Sequence, residues 1–369
     1  MLTISSQAYI ILSLICISGE MSSDTIYSIN ISSEKYIGRM ITQLRDMELI
    51  KLHKGNGLRG YRVTRKGKNL LLTTEPERFS YALEDKSETN RVKSDLRRRI
   101  RIQRIAEVNT LMSNIGVSIF RDEKTKLFYS EEKKSGTELH IESSAFYTSR
   151  EYKDIGGEIA KMRNARAAGI FVTTAGVYLI YNTGDSRMKW NTNSELRAKS
   201  IIRHYLIYDI KLKAFKNREI GAILFGRDMD LAYELMTNTN KNYFMVDGTF
   251  EIFYYFTQDK NGEVLTRILS NEKMMKSLNA SLLSGLSPPD KNKLFENDAF
   301  SDGKPVIINY FCDLPRLTRF NTALSLQELQ GIIICFDFQE LFMRKYCGDN
   351  ISFQTIKMNK FKGSDLYRY

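Results

Sequence analysis

Four long hydrogen-bond donors recur along one side of a predicted helix near the start of the chain. Lys35, Tyr36, Arg39 and Gln43 stand in "SSEKYIGRMITQLRD", and residues three or four apart lie on the same helix face. Amide and guanidinium groups hydrogen-bond the edges of nucleic-acid bases, and cations pair with phosphate. The chemistry that this spacing predicts is recognition of a polyanion.

Cationic side chains also surround a predicted hairpin directly after this helix. The segments "LIKLHK" and "GYRVTR" are typical of short strands, and the intervening "GNGLRG" supplies the glycines that a tight connection needs. Lys54, Arg59 and Arg62 are expected to meet phosphate from this hairpin. Between residues 32 and 70, ten Lys and Arg stand against three Asp and Glu, which leaves an excess of seven. This segment therefore carries more than half of the formal net charge of +12.

The helices that would hold these side chains follow from apolar spacing and capping residues. A first helix is predicted over residues 6–17 and a short second one over residues 22–29, with Ser22 or Ser23 as its N-cap. The third begins after Ser32 and carries an apolar stripe at i, i+3, i+4 and i+7, formed by Ile37, Met40, Ile41 and Leu44. "KGKNLLL" begins a fourth helix beyond the hairpin.

Three helices followed by a basic hairpin is the element order of a winged helix-turn-helix. A helix is about 10–12 Å across and the major groove is about 12 Å wide, so the third helix fits the groove while the hairpin meets the backbone. Double-stranded DNA is therefore the expected partner. A winged helix that contacts another protein is the alternative, which the concentration of charge on the docking elements disfavours.

The composition agrees with a folded, basic protein. The 369 residues suffice for two or three domains, and 42% apolar and 27% charged residues are ordinary for globular proteins. A pI near 9.3 favours nucleic acid as partner, with an acidic membrane surface second. Cys16, Cys312, Cys335 and Cys347 lack metal-ligand spacing, and the three histidines are far apart. These residues indicate free thiols in a reducing compartment and no zinc site.

The apolar N-terminal segment "MLTISSQAYIILSLICIS" is predicted to be a buried helix. A signal peptide carries cations near its start, whereas the first cation of this chain is Lys35. The segment is also too short to span a bilayer. We therefore expect a cytoplasmic protein without a membrane partner.

A second basic helix is predicted over residues 90–112. Its apolar stripe is irregular, and arginines occupy much of the remaining surface, at Arg91, Arg97, Arg98, Arg101 and Arg104. The favoured interpretation is a solvated connecting helix. The alternatives are an extension of the phosphate-binding surface and a helix that pairs with its copy in a homodimer.

Beyond residue 115, strands and helices alternate, which predicts an α/β domain with a mixed sheet. "GAILFG" and "GIIICFDF" are apolar throughout, as strands covered on both faces are, and "YFMVDG" is interpreted as another strand. "KNGE" is expected to be a turn. The fold class is therefore α+β overall, with a winged helix-turn-helix over residues 1–78, a basic connecting helix over 79–114, an α/β domain over 115–356 and a frayed tail over 357–369.

No motif in this larger part predicts catalysis. Glycine-rich phosphate loops and a nucleophile elbow are absent from the sequence. Metal-dependent nucleases use carboxylates and a lysine, often as acid-x-lysine, and "EEK" at 131–133 and "EYK" at 151–153 match that short pattern. Asp247 and Asp337 end apolar strands, where they could serve chemistry or cap the next element. No catalytic residue, metal ligand or cofactor is assigned.

The order of the first 75 residues, with "LRDMELIKLHKGNGLRGYRVTRKGKNLL", resembles the winged-helix region of bacterial replication-relaxation proteins, which are associated with plasmids and other mobile elements. The remainder is similar to uncharacterised proteins encoded in bacterial conjugative elements, through "FYTSREYKDIG", "KMRNARAAGIFVT", "YNTGDSRMKW", "YFMVDGTFEIFYY" and "GIIICFDFQ". The resemblance implies a DNA partner and a mobile-element context, and it names no catalytic residue.

Together these observations predict a double-stranded-DNA-binding accessory factor in plasmid replication or conjugative transfer, or a regulator of those processes. Other conjugation or replication proteins are the expected partners of the α/β domain. A Mg²⁺-dependent nuclease or DNA-relaxation enzyme in that domain is one alternative, and a protein-interaction scaffold is the other.

Overall fold

The computed structural model describes residues 4–84, 95–128, 141–152, 155, 165–212, 218–289 and 295–368. The chain forms two compact units, of which the first holds residues 1–131 and 145–154 and the second residues 132–144 and 155–369. Helices and strands are mixed in the fold and the larger sheets are themselves mixed, which confirms the expected α+β class. The first unit reaches well past residue 78, its predicted end, because the helices that follow pack onto it.

The first unit is mainly helical. Its helices are α1 (Ser6–Ser18), α2 (Ser23–Tyr27), α3 (Glu34–Asp46), α4 (Arg65–Thr74), α5 (Pro76–Leu83), α6 (Leu96–Asn114) and α7 (Ser149–Tyr152). Its strands are β1 (Ile50–Gly55), β2 (Leu58–Val63) and β3 (Ala145–Thr148). The first four predicted helices and the hairpin are all present, with ends shifted by only a few residues.

Helix α1 forms the centre of the first unit. Its sequence is apolar on every side, and all residues from 11 to 18 are at most 2% exposed. A helix with apolar side chains on every side is stable in water only where all of its sides are buried. The Ser5 hydroxyl accepts the Ala8 N–H at its start, and Gly19, with a φ of 87°, ends it. The N-terminal segment is therefore a core helix, as predicted. No helix in the described part of the chain has the length and apolar character needed to cross a membrane.

A two-residue turn closes the hairpin of β1 and β2. Asn56 and Gly57 both have positive φ, 53° and 77°, as a type I′ turn requires. The turn sets the register of the strands, so that Lys54 lies directly opposite Arg59. The strands run closer to the tip than the sequence predicted, and the outer residues of "GNGLRG" belong to them rather than to a loop.

Helix α6 is not the solvated connector that was favoured from the sequence. It packs against α1, α2 and β2, and its inward side chains are buried, with Arg99 and Asn109 both 0% exposed. The Asn109 side chain donates to the Ser18 hydroxyl over 2.9 Å. The predicted residues 90–94 lie outside the described part of the chain. The helix belongs to the first unit's core, and Arg97 and Arg98 at its N-terminal end remain exposed.

The second unit alternates strands and helices. Its strands are β4 (Gly169–Val172), β5 (Val177–Gly184), β6 (Gly221–Gly226), β7 (Phe253–Thr257), β8 (Ala299–Ser301), β9 (Lys304–Ile308), β10 (Gly331–Phe336) and β11 (Ile351–Ile356). Its helices are α8 (Thr192–His204), α9 (Met229–Met236), α10 (Lys260–Ser270), α11 (Glu272–Leu283), α12 (Leu314–Leu326), α13 (Asp337–Tyr346) and α14 (Met358–Lys362).

Two mixed sheets organise this unit. Strands β4 to β7 lie side by side in chain order. Strand β4 is antiparallel to β5, whereas β5, β6 and β7 are parallel to one another. The second sheet has the order β11, β10, β9, β8, with β8 antiparallel and the other three parallel. Strands β6 and β10 are buried along their whole length, as strands covered on both faces are. The predicted mixed sheet is therefore confirmed, although it is divided into two.

Two apolar segments differ from their predictions. "YFMVDG" does not form a strand of either sheet. Its backbone contacts the segment before α8 instead, where the Phe244 N–H donates to the Met188 carbonyl over 2.8 Å. Beyond a single bridge at Tyr243, no strand pairing occurs in this segment. The tail after residue 357 is not frayed, since α14 buries Met358 and Phe361.

The predicted turn "KNGE" is the first turn of helix α10. The carboxylate of Asp259 caps this helix by accepting the N–H groups of Asn261 and Gly262. Gly262 is needed because a Cβ at this position would lie 1.8 Å from the Thr257 carbonyl oxygen. The residues that were predicted to form a turn therefore begin helix α10, directly after the tight connection from strand β7.

A buried carboxylate links strand β7 to the start of helix α12 in the second unit. Asp313 precedes α12 and accepts the N–H of Phe253 in β7 over 3.3 Å and that of Arg316 over 3.4 Å. Asp313 is only 7% exposed. Burial raises the pKa of Asp313 to about 6, although the two N–H groups and the Arg316 charge act in the opposite direction.

Replacing Asp313 by Asn should remove a pH dependence of the second unit. The folded pKa of Asp313 exceeds its unfolded value of about 3.9, so the folded state binds more protons between about pH 4 and pH 6, and stability falls as the pH rises through that window. Asp313→Asn keeps an acceptor oxygen but has no charge. Relative to this variant, the wild type should lose on the order of 2 kcal/mol of unfolding free energy between about pH 4 and pH 7.

Urea unfolding followed by tryptophan fluorescence measures this effect. Trp190 is the chain's single tryptophan and is 7% exposed in the second unit, so its emission reports that unit alone. The same pH dependence in wild type and variant would contradict the raised pKa of Asp313.

Candidate nucleic-acid interface

Helix α3 presents the four predicted donors on its outer side. Lys35, Tyr36, Arg39 and Gln43 are all exposed. The stripe on its opposite side is at most 4% exposed and packs into the first unit through Ile37, Met40, Ile41 and Leu44. Burial of this stripe fixes the rotation of the helix about its axis, and the donors therefore face solvent.

Most of the cations between residues 32 and 70 are exposed without a counter-ion. Lys66 differs, because its Nζ lies 3.5 Å from the Glu48 carboxylate. Within the described residues, seven exposed cations of this segment make no ion pair, and these are Lys35, Arg39, Arg45, Lys51, Lys54, Arg59 and Arg65. The positive charge of this segment is therefore largely left uncompensated at the surface.

The hairpin tip brings cationic side chains close together. Lys54 and Arg59 face each other across the strands, and like charges placed directly opposite repel. Desolvation lowers the pKa of His53, and the charges of Arg62 and Arg99 lower it further. The folded chain therefore holds several positive charges close together at this tip, and a bound anion would relieve their repulsion.

The assignment of Arg62 as a phosphate contact is wrong. This residue is 7% exposed, and its Nε and Nη2 atoms donate to the Glu20 carboxylate over 2.8 and 2.5 Å. Successive residues of a strand point to opposite faces, and Arg59 and Arg62 stand an odd number of residues apart. While Arg59 is exposed at the tip, Arg62 therefore points into the first unit.

The carboxylate of Glu20 is the centre of a buried ionic cluster. Besides Arg62, Arg99 donates to its Oε1 atom over 2.7 Å and Gln103 does so over 2.7 Å. Burial alone would raise the pKa of Glu20, but hydrogen bonds from Arg99, Arg62 and Gln103 outweigh burial and hold the pKa below its usual value. The cluster's contribution to stability is present above the unfolded pKa and is lost as the pH falls through the folded pKa.

Arg99 and Gln103 also hold the backbone of the hairpin tip. The Arg99 guanidinium donates to the carbonyl oxygen of Gly55 and, over 3.3 Å, to that of Leu58. The Gln103 amide donates to the Arg59 carbonyl over 3.2 Å. These carbonyls lie on both sides of the turn, so helix α6 fixes the position from which the exposed cations of the tip project.

Sequence reasoning missed Glu20, Arg99 and Gln103. Arg99 stands in "RRRIRIQR", where nothing local separates a buried arginine from exposed ones. One usable signal is Gly60, because an isolated glycine in a strand indicates a close approach by another group. A Cβ at Gly60 would lie 2.5 Å from the Glu20 side chain, so that close group is the carboxylate at the centre of the cluster.

Glu151, considered from the sequence as an acid-x-lysine carboxylate, has a structural partner. Its carboxylate forms a buried ion pair with Lys124 at 2.8 Å and accepts the Thr148 N–H over 2.7 Å. Burial lowers the pKa of Lys124, and the neighbouring Glu151 charge acts in the opposite direction. Lys153 and the "EEK" segment at 131–133 lie outside the described part of the chain.

The two carboxylates predicted at strand ends also act within the fold. Asp247 accepts the Trp190 indole N–H over 3.0 Å and the Thr192 hydroxyl over 2.6 Å. Asp337 opens α13 and accepts the backbone N–H of Met358 over 3.1 Å. Across the described ranges, no three His, Cys, Asp or Glu side chains lie close enough together to hold a metal ion.

Comparisons of the chain with protein-family models, with characterised proteins and with solved structures found no match. The interpretation of this surface therefore depends on its own side chains. These are the outward donors of α3 and the exposed cations of the hairpin, whose tip is held to α6 by Arg99 and Gln103. The arrangement suits recognition of an extended polyanion.

Removing the Glu20 charge should destabilise the first unit strongly. Glu20→Gln leaves two buried arginines without a carboxylate, and breaking a buried ion pair in this way costs roughly 3–5 kcal/mol. Amide hydrogen exchange of the hairpin and α6 measures the loss separately from the second unit.

Glu48→Gln is the matched control for this change. Its pair with Lys66 is exposed, with the two side chains 78% and 48% accessible, so its loss should cost less than about 1 kcal/mol. If Glu20→Gln left the protection of the hairpin amides unchanged, the cluster would not be what holds the hairpin in place.

Proposed function

We propose that this chain binds double-stranded DNA through its first unit, which acts as a winged helix-turn-helix. Helices α2 and α3 are the helix-turn-helix, α3 enters the major groove, and the β1–β2 hairpin is the wing that meets the backbone. The observation that carries the proposal is the outward display of cations on these two elements, without ion-pair partners among the described residues.

The dimensions of α3 suit this role. With 13 residues and a rise of 1.5 Å per residue, the helix is about 20 Å long, and its outer side carries donors along most of that length. Arg39 and Gln43 have the side chains that bind guanine and adenine edges in the major groove, whereas Lys35 suits a phosphate. We assign sequence recognition to Arg39 and Gln43, with Tyr36 beside them.

Electrostatics supports the same partner. Repulsion between Lys54 and Arg59 at the tip falls when an anion lies between them, and DNA offers phosphates at regular spacing. Each phosphate neutralised by a cation also releases counter-ions, which favours binding at low salt. A small acidic ligand would meet the tip alone and would leave the donors of α3 unused.

The resemblance to winged-helix regions of replication-relaxation proteins supports a mobile-element context. We therefore assign the chain as a cytoplasmic accessory factor in plasmid replication or conjugative transfer, or as a regulator of those processes. The second unit would contact another replication or conjugation protein. No observation on the described residues favours the nuclease alternative, since Glu151, Asp247 and Asp337 are occupied by partners within the fold.

Removing one cation from each docking element should weaken duplex binding. Arg39→Ala combined with Arg59→Ala should lower affinity roughly 10- to 100-fold, because it removes one base contact and one phosphate contact. The slope of log K against log salt should fall by about one, since the phosphate contact of Arg59 contributes about 0.9 to that slope. Fluorescence anisotropy of a labelled duplex over a salt series measures both quantities.

A control variant with the same net charge separates local contacts from general attraction. Arg197→Ala combined with Lys273→Ala removes two exposed cations from the second unit. This variant should bind as the wild type does. Unchanged affinity and slope in the Arg39 and Arg59 variant would remove the assignment of α3 and the hairpin.

Gln43→Ala should relax sequence preference rather than reduce affinity uniformly. Gln43 is uncharged and exposed, so its loss leaves the phosphate contacts intact while removing about 1–3 kcal/mol of discrimination at one base pair. Selection of bound sequences from a random duplex pool, performed with wild type and variant, compares the two preferences. The same selected motif from both proteins would exclude Gln43 from base recognition.

A further inference from the structure

We infer that the N-terminal turn of α6 is a third element of the DNA-contacting surface, in which Arg97 and Arg98 bind backbone phosphates beside the hairpin. The inference rests on the proposed function and extends it to a helix that the sequence suggested was a connector. It also gives a reason for the arginine-rich start of that helix.

The first step is the fixed position of α6 against the hairpin. Arg99 donates to carbonyl oxygens on both sides of the turn, and Gln103, one helical turn later, donates to the Arg59 carbonyl over 3.2 Å. Both side chains are buried. Because three backbone carbonyls of the tip bond to one helix, the hairpin and the start of α6 form one continuous surface.

The second step is the exposure of the two arginines before Arg99. Successive residues of a helix are turned by about 100°, so Arg97 and Arg98 point away from the direction of Arg99. Both are exposed, and neither has an ion-pair partner among the described residues. One helical turn rises about 5.4 Å, so the backbone positions of Arg97 and Arg98 lie within one turn of Arg99, which holds the hairpin tip.

The third step is electrostatic. The start of a helix carries partial positive charge from its free N–H groups, which the Asp95 carboxylate offsets in part by accepting the Arg98 N–H over 2.9 Å. Cations on Arg97 and Arg98 add to this charge, close to the cations of the tip. Such a gathering of positive charge opposes folding, and a row of phosphates along one DNA strand would neutralise it.

The outer side of α6 disfavours the homodimer interpretation. At i+4 and i+7 from Arg97, the helix carries the half-buried Arg101 and Arg104 instead of an apolar stripe. A second copy of the helix placed against it would bring like charges together. The arginine spacing therefore suits a polyanion better than another copy of the chain.

Charge removal at these two positions tests the inference. Arg97→Ala with Arg98→Ala should keep α6 helical, because alanine has the highest helix propensity. We expect the salt slope of duplex binding to fall by about one to two and affinity at low salt to fall several-fold to about 30-fold. Hydroxyl-radical footprinting should show lost protection at one end of the site only. Arg97→Gln with Arg98→Gln, which keeps part of each side chain's length, should give the same result.

The outcomes separate this inference from the proposed function. If the Arg39 and Arg59 variant loses binding while the Arg97 and Arg98 variants keep the wild-type slope and footprint, α6 is not part of the interface and the proposed function stands. The same loss in the control that lacks Arg197 and Lys273 would reduce the effect to net charge and overturn the inference. Failure of the wild type to bind duplex DNA would overturn both proposals.

Discussion

One buried carboxylate connects three parts of the first unit that are distant in sequence. Glu20 follows α1, Arg62 lies in β2 and Arg99 lies in α6, and all three charges are buried together. Taking such charges out of water costs several kcal/mol per ion, so this cluster is weak grounds for high stability. Its consequence is positional, because the ionic hydrogen bonds to Glu20 orient Arg99 so that its guanidinium also reaches the carbonyls of the hairpin tip. An apolar replacement could fill the volume, but it would leave those carbonyls without donors and the tip without a fixed place.

Arginines in this unit are of two kinds, exposed and buried, and the two kinds stand only one to three residues apart in sequence. In β2, Arg59 is exposed and Arg62 is buried, because strand side chains alternate between faces. In α6, Arg98 is exposed and Arg99 is buried, because successive helical residues are turned by about 100°. The buried arginines fix the elements on which the exposed ones stand. A count of positive charge therefore overestimates the number of cations available to a partner, and it cannot tell which ones they are.

Local periodicity made much of the fold predictable. The stripe of α3, the fully buried runs of β6 and β10 and the glycine-containing hairpin turn were all recognised, since each depends on neighbours in sequence. The Glu20 cluster was not, because its members lie up to 83 residues apart and no local rule pairs them. "YFMVDG" has the composition of a strand, yet its backbone bonds to residues that precede α8. "KNGE" was misread because turn residues also begin helices, and the preceding Asp259 was the capping signal that distinguishes the two. The donors of α3 were predicted correctly as exposed because amphipathic spacing fixes which side of a helix meets solvent.

In the second unit, carboxylates at strand ends cap the helices that follow, whereas their position alone would suggest reacting groups. Asp228 follows β6, Asp259 follows β7 and Asp337 follows β10, and each accepts backbone N–H groups at the start of the next helix. These positions are where α/β enzymes often place reacting groups, but here the tight strand-to-helix connections themselves require an acceptor. Acidic side chains are thus used inside the second unit to begin its helices, while the exposed cations Lys35, Arg39, Lys54 and Arg59 make no ion pair within the described part of the chain. The positive charge at the surface of α3 and the hairpin thus depends on where the charged residues are placed as well as on the formal net charge, and it is the basis of the proposed binding of a polyphosphate.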